Sequence, residues 1–267
     1  MKKRIKDFLE KAVRNPIGRI FILPVLRFYF FLKSSRIQFF KCIPRYNEDD
    51  LLTANHPVFM EDEWFMDCYN SAVKEGLAVS DKIHWRAHVA CWAGFKAMGL
   101  EGDFVECGVY KGFLSKIVMD YIKFRDSSKN FYLLDTYEGV SEKYLTKKER
   151  EKILFWGYDL CSSYEDVKKT FKDYKNVKII KGTVPDTLVE VNSDKIAYLS
   201  IDMNCTMPEI AAAEYFWDKL VEGAVVLLDD YGHSGYEEQR FAFDEFAKRK
   251  NVSILCFPTG QGLMIKP

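Results

Sequence analysis

Four histidines and seven cysteines stand among the 267 residues, and neither type falls into a convincing metal-ligand pattern. The cysteines (Cys42, Cys68, Cys91, Cys107, Cys161, Cys205 and Cys256) are scattered with no C-x-x-C pair, which excludes a zinc ribbon and a dithiol redox centre. Their odd number and apolar settings fit reduced, mostly buried thiols in a cytoplasmic protein. Cys107 and Cys205 fall within motifs but read as small core residues. His84 and His88 are four apart, the spacing of a helical metal pair. No H-E-x-x-H pattern or third ligand accompanies them, and a helix surface is the better reading. No apolar run reaches the ~20 residues that span a bilayer. Ile20–Leu32 comes nearest, but Pro24 and Arg27 interrupt it and no small-residue cleavage site follows, so a signal peptide fits poorly. Internal repeats, low-complexity segments and a G-x-G-x-x-G dinucleotide fingerprint are also missing.

The formal charge is zero, but the sum conceals a division. Residues 1–45 hold twelve Lys or Arg against Asp7 and Glu10, a net +10. The rest keeps 27 of the 39 basic and 37 of the 39 acidic residues, a net −10. A basic, apolar N-terminal arm (1–45) thus precedes an acidic body. Basic residues interleaved with aromatics suit a segment lying on an anionic membrane surface, at the inner membrane face of a cytoplasmic protein. Packing on the body, or on a second subunit of a homo-oligomer, is the other reading of the same pattern. Nucleic acid is not an expected partner, because the body is not basic and carries no recognition motif.

Residues 46–60 read as linker within a helical cap (46–100). Two helical patterns follow. Glu61–Glu75 carries Trp64, Phe65, Cys68, Tyr69 and Val73, and a second, with Ser80-Asp81 as its cap, runs through Trp85, Val89, Trp92 and Phe95 to Met98. These helices are expected to cover a ligand pocket. From residue 101 to 267 strands and helices alternate, the pattern of an α/β fold with a mostly parallel sheet and helices on both faces. Strands are expected at Asp103–Cys107, Asn130–Asp135, Val177–Ile180, Ile196–Ile201 and Ala224–Leu228. A Pro208–Leu220 helix and a Glu237–Lys250 helix follow the last two of these. Val252–Phe257 and Leu263–Lys266, joined by a short Gly-rich link, form a hairpin that makes the last strand antiparallel.

The pivotal stretch is Glu106-Cys107-Gly108-Val109-Tyr110-Lys111-Gly112. It reads strand, glycine turn, helix, the opening of a nucleotide-binding unit. Gly108 allows a tight turn and leaves bare backbone for a ligand, and Gly112 lets the helix start close by. Glu106 puts a negative charge where a pyrophosphate would sit in a dinucleotide site. It suits an ammonium or sulfonium instead, as in S-adenosylmethionine. Glu106, Asp135, Asp202, Asp229 and Asp230 all end strands on the edge where α/β sheets bind ligands. Five acids in one cleft repel unless something cationic sits among them. Asp135 stands where an acid accepts the ribose hydroxyls of an adenosine ligand, Thr136 and Tyr137 can edge the purine, and Gly182-Thr183 leave room beside the adenine. Asp202, Asp229 and Asp230, with Asn204 as a neutral neighbour, suit Mg²⁺ or a similar hard cation that keeps several waters.

Glu106–Gly112, Asp135-Thr136-Tyr137-Glu138-Gly139, Ile201-Asp202-Met203-Asn204 and Leu228-Asp229-Asp230-Tyr231-Gly232 together resemble, in order and spacing, the macrocin O-methyltransferase family. The resemblance covers residues 80–267. It implies a Rossmann-like class I methyltransferase fold, an S-adenosylmethionine donor and Mg²⁺-assisted transfer to a sugar hydroxyl, in glycan or secondary-metabolite tailoring. By the same resemblance Glu106, Gly108, Gly112 and Asp135 are expected to bind the cofactor, and Asp202, Asp229 and Asp230 the metal; Tyr110, Thr136, Gly182 and Thr183 complete the expected cofactor residues. Asn204, Thr206 and Met207 depart from the pattern, since the macrolide enzymes tend to carry a second Asp, a Tyr and an acid there. Asp202 and His233 are the candidate catalytic bases, and Trp156, Tyr158 and Tyr231 the candidate sugar-packing aromatics. Two competing readings are a non-catalytic scaffold of the same fold anchored at the membrane by the arm, and an NAD-dependent oxidoreductase, which the missing third glycine and Glu106 disfavour.

Overall fold

The computed structural model describes residues 44–78, 80, 82–156 and 162–267. The N-terminal arm, and with it the membrane reading, lies almost wholly outside the described residues, as do Tyr158 and the side chain of Trp156. Among the described residues no helix is long and apolar enough to cross a membrane. Tyr46–Pro267 forms one compact unit.

Its centre is a seven-stranded sheet of β3 (Asp103–Cys107), β4 (Phe131–Asp135), β5 (Val177–Lys181), β6 (Ile196–Ile201), β7 (Leu220–Leu228), β8 (Leu255–Cys256) and β9 (Gly262–Ile265), in the order β5-β4-β3-β6-β7-β9-β8. Strands β3 to β7 are parallel, and β9 runs antiparallel to both β7 and β8. Side chains alternate cleanly between the two faces, as a period of two requires. Phe104, Phe131, Leu133, Val225 and Leu227 point to one core, and Val105, Tyr132, Leu134, Val226 and Leu228 to the other. Helices α1 (Glu63–Lys74), α2 (His84–Met98) and α3 (Phe113–Tyr121) cover the first core, through residues such as Phe65, Ala90 and Ile117. Helices α4 (Lys147–Trp156) and α5 (Tyr164–Thr170) fall between β4 and β5. Helices α6 (Thr206–Trp217) and α7 (Glu237–Lys250) cover the second core with Ala212, Phe216, Phe243 and Phe246. Burial on both faces is why these strands read as near-continuous apolar runs.

Four local expectations need correction. Residues 46–53 are not linker but a hairpin, β1 (Tyr46–Glu48) paired with β2 (Leu51–Thr53). Its turn residues Asp49 and Asp50 both have positive φ (53° and 54°), the geometry of a two-residue turn that Asn-Gly usually announces. Helix α1 starts after Asp62, whose carboxylate accepts from the N–H groups of Trp64 and Phe65, and the preceding turn is 3₁₀. Helix α2 starts at His84 without a side-chain cap bond, so Ser80 does not cap it; Asp81 lies outside the described residues. Strand β7 begins at Leu220, four residues early. Gly223, at φ 80°, lets the chain pass through a register irregularity rather than end a helix there.

The switch in strand order falls between β3 and β6, and there the glycine turn meets the end of the neighbouring strand. Gly108 has φ 91°, and a Cβ built on it would lie 1.7 Å from the Asp202 carbonyl oxygen. Backbone cannot yield as a flexible side chain does. Gly108→Ala is therefore expected to cost at least about 2 kcal/mol of stability, read as a lowered urea midpoint. An unchanged midpoint would show that this close approach is not maintained.

Candidate active site

A cavity of ≈ 260 Å³ opens at the switch point, over the carboxyl ends of the strands. Glu106, Gly108 and Tyr110 enter it from the end of β3, Asp135 and Thr136 from β4, and Gly182 and Thr183 from β5. Asp202 and Asn204 enter from β6 and Asp229 from β7. Leu77 and Ile83, before α2, and Arg86, on it, close one side.

Glu106 is almost fully buried. Burial pushes its carboxyl up to about 8; the Ser115 hydroxyl works the other way, and the charges of Asp229 and Asp135 add to the rise. Without a cationic ligand nearby, this group holds its proton at neutral pH. Asp135 is treated differently. One of its oxygens accepts from the N–H groups of Val109 and Tyr110 at 2.7 and 2.8 Å, and the other from Tyr137 N–H at 2.6 Å. These bonds tie the glycine turn after β3 to the loop after β4. The tie was not foreseen, since it depends on two loops being neighbours. A carboxylate has about four acceptor positions; the Thr136 hydroxyl lies 3.4 Å from Asp135 but has a shorter contact to the Gly139 carbonyl at 2.5 Å, so Asp135 retains capacity for a ligand hydroxyl.

Asp202, Asp229 and Asp230 offer oxygens that all lie within 4.8 Å of one another. Burial, together with Asp229 and Asp230, holds the Asp202 carboxyl well above the usual range. Asn204 Nδ2 donates to Asp202 at 3.1 Å, and Tyr236 donates its hydroxyl to Asn204 Oδ1 at 2.5 Å. Two partners of the cluster escaped the sequence reading. Arg86 Nη1 donates to Asp229 at 2.7 Å, and Gln261 Nε2 to its other oxygen at 2.8 Å. No motif flags either residue, because one lies on the cap and the other in the final hairpin. Glu149, on α4, was also missed. It accepts from the N–H and hydroxyl of Thr206 and from Thr146 N–H, so it caps α6 in place of Cys205. These bonds outweigh its burial and lower its carboxyl.

Not every candidate reaches the cavity. His233 does not line it; its ring packs against Gly260, where a Cβ would come within 2.6 Å. Gly112 does not line it either. The turn before α3 passes beneath Phe171, and a Cβ on Gly112 would lie 2.6 Å from that ring. Tyr231 donates its hydroxyl to Asp244 on α7 at 2.5 Å, away from the cavity lining. His84 stacks on Tyr69 at 4.5 Å and His88 on Phe59 at 4.3 Å, so the pair serves aromatic packing.

A parallel sheet reversed at β3, an antiparallel final strand and a cavity of strand-end acids define a class I S-adenosylmethionine-dependent methyltransferase. The family model for macrocin O-methyltransferases matches residues 86–255, and the chain belongs to that family. It is an O-methyltransferase. Among solved structures it is similar to the O-methyltransferase NovP (TM-score 0.61, 19% identity, covering 71% of this chain and 82% of that one). It is also similar to the calicheamicin methyltransferase CalS11 (0.51, 12%, 75% and 91%). A third is an O-methyltransferase from Bacillus cereus in complex with SAH (0.51, 12%, 78% and 96%). At these identities the likeness is one of fold. A search of curated proteins by sequence finds no match.

The state of Glu106 has a measurable sign. The unfolded chain ionises this carboxyl near the ordinary glutamate value, while the folded chain keeps it protonated to about 8. Its contribution to stability is therefore full at low pH and lost as pH rises through that window, by at most about 1.4 kcal/mol per pH unit. Glu106→Gln is expected to flatten the pH dependence of the unfolding free energy between about pH 5 and 8, measured by urea denaturation. A profile as steep as that of the wild type would contradict the assignment.

Proposed function

We propose that the chain methylates a hydroxyl of a sugar or a related glycan or secondary-metabolite precursor, with assistance from Mg²⁺ or a similar divalent cation. The observation that carries this reading is the meeting, in one cavity, of a cofactor-type edge with Asp202 and Asp229, two members of a three-carboxylate cluster whose third, Asp230, stands next to them outside the cavity lining. On the cofactor side, Glu106 faces the cationic methionine end, and Asp135 accepts a ribose hydroxyl through its remaining acceptor capacity. Thr136, Gly182 and Thr183 border the adenine, with Gly108 leaving the backbone open beside it.

The residues of the cluster fit a hard cation. The set consists of carboxylate oxygens and is compact, with the neutral amide of Asn204 beside Asp202 and the Arg86 guanidinium on Asp229. Asp202, Asp229 and Asp230 would hold the ion. When bound, the cofactor supplies an electrophilic methyl, and the cation lowers the pKa of the acceptor hydroxyl. The chain's own part is to orient the acceptor, exclude water and receive its proton. Leu77, Ile83 and Phe113 give the cavity apolar walls, and Tyr144 offers a flat ring for a sugar face. Asp202 lines the cavity and His233 does not, so Asp202 is the candidate to take the proton.

Two measurements test this. Asp135→Ala should weaken S-adenosylmethionine binding at least about tenfold by calorimetry, since it removes both the hydroxyl acceptor and the tie between the loops. Unchanged affinity would refute the cofactor assignment. With labelled donor and a panel of nucleotide sugars and lipid-linked glycans, Asp229→Asn or a chelator should remove turnover. Full activity in chelator would remove the cation from the mechanism and leave the methyl transfer standing.

A further inference from the structure

Among the described residues that line the cavity, Arg86 is the one with a cationic side chain, beside Glu106, Asp135, Asp202 and Asp229. It joins two carboxylates of different origin. Nη1 donates to Asp229 Oδ2 at 2.7 Å, while Nε and Nη2 make a two-pronged contact with Asp49 at 3.1 and 3.0 Å. Both acids are almost fully buried and the guanidinium is largely so. Burial works against its charge, but Asp229 and Asp49 outweigh it and hold Arg86 firmly protonated. The other oxygen of Asp229 is taken by Gln261.

Asp229 is thus claimed twice. It belongs to the three-carboxylate cluster, and it is the carboxylate on which Arg86 rests. Both oxygens of Asp229 are engaged, so a divalent cation in the cluster would compete with the present partners of Asp229, and its charge and that of the guanidinium would face each other in a poorly screened site. Asp49 supplies the alternative. It sits in the turn between β1 and β2, outside the cluster, and two of the three Arg86 bonds already go to it. The guanidinium can leave Asp229 and still keep an anionic partner.

The geometry points to Arg86 as the resident counter-ion of the acid cluster, one that exchanges with the divalent cation by withdrawing onto Asp49. This rests on the reading that the cluster takes a hard cation. It makes Arg86 a positioning residue and the β1–β2 hairpin the post that holds it. It also makes the coupling reciprocal: whatever strengthens the Arg86–Asp49 contact strengthens cation binding.

The test uses Mn²⁺ as probe on the full-length protein, with free ion followed by electron paramagnetic resonance and binding heat by calorimetry. Arg86→Gln should bind Mn²⁺ at least about fivefold tighter than the wild type, because the competitor is gone. Asp49→Asn should bind it more weakly, because the guanidinium then has only Asp229 as an anionic partner. Opposite signs for the two variants support the exchange. Weaker binding in Arg86→Gln would mean that the arginine merely props the acids, and it overturns the proposal. Equal affinity in wild type and Arg86→Gln overturns it too, while leaving the cation reading intact. No Mn²⁺ binding by any of the three proteins overturns both. Should Arg86→Gln fail to fold, Asp49→Asn decides alone: weaker binding supports the exchange, and unchanged or tighter binding refutes it.

Discussion

Crowded negative charge at one edge of the sheet is the constraint on which this structure turns. Parallel strands deliver their carboxyl ends to the same place, and here those ends carry acids. Such groups cannot all be ionised, buried and unaccompanied. The protein answers separately for the four that line the cavity. Glu106 keeps its proton, Asp135 gathers backbone N–H groups, and Asp229 takes a guanidinium and an amide. Asp202 leans on Asn204 and is pushed toward its neutral form. A protonated Glu106 at the cavity wall can give up its proton to a cationic ligand, which is what a site for a sulfonium requires.

The surrounding scaffold serves that arrangement. Gly108 allows the turn after β3 to press against the backbone of Asp202, so the cofactor edge and the acid cluster share one wall. Glu149 fastens the insertion between β4 and β5 to the first turn of α6, just beyond Asn204. Glu209 completes the support by accepting from Met203 N–H and from Gln239 on α7. Loops from four strands and the cap are thereby tied by charge-assisted hydrogen bonds, which are stronger than neutral ones. The aromatic cluster of Phe104, Phe124, Phe131 and Tyr198, with ring centroids 5.1 to 6.0 Å apart, anchors the opposite end of the same strands.

Much of this was legible before any coordinates. Strands β3 and β6 and helix α7 fall on the expected residues, because runs buried on both faces and caps with turn residues are local signals. The antiparallel final strand followed from a short glycine-rich link. The errors are local too. The β1–β2 hairpin went unseen because Asp49-Asp50 is an unusual pair for a turn with two positive φ angles. The start of β7 was hidden by Glu222-Gly223, which reads as a stop but serves as an irregularity inside the strand.

By itself the sequence determined the α/β alternation, the acids at the strand ends and, through four spaced motifs, the macrocin O-methyltransferase family. Those features are carried by neighbours along the chain. Only the tertiary structure decided what each acid meets. Arg86 stands 143 residues from Asp229, Gln261 stands 32, and Asp49 belongs to a hairpin that no motif includes. It likewise separated His233 and Gly112, which pack elsewhere, from Asp202 and Gly108, which face the cavity. The reason is physical. The type and spacing of a residue set which charges reach the sheet edge, but their pKa values and partners depend on distance and burial, and those exist only once the chain has folded.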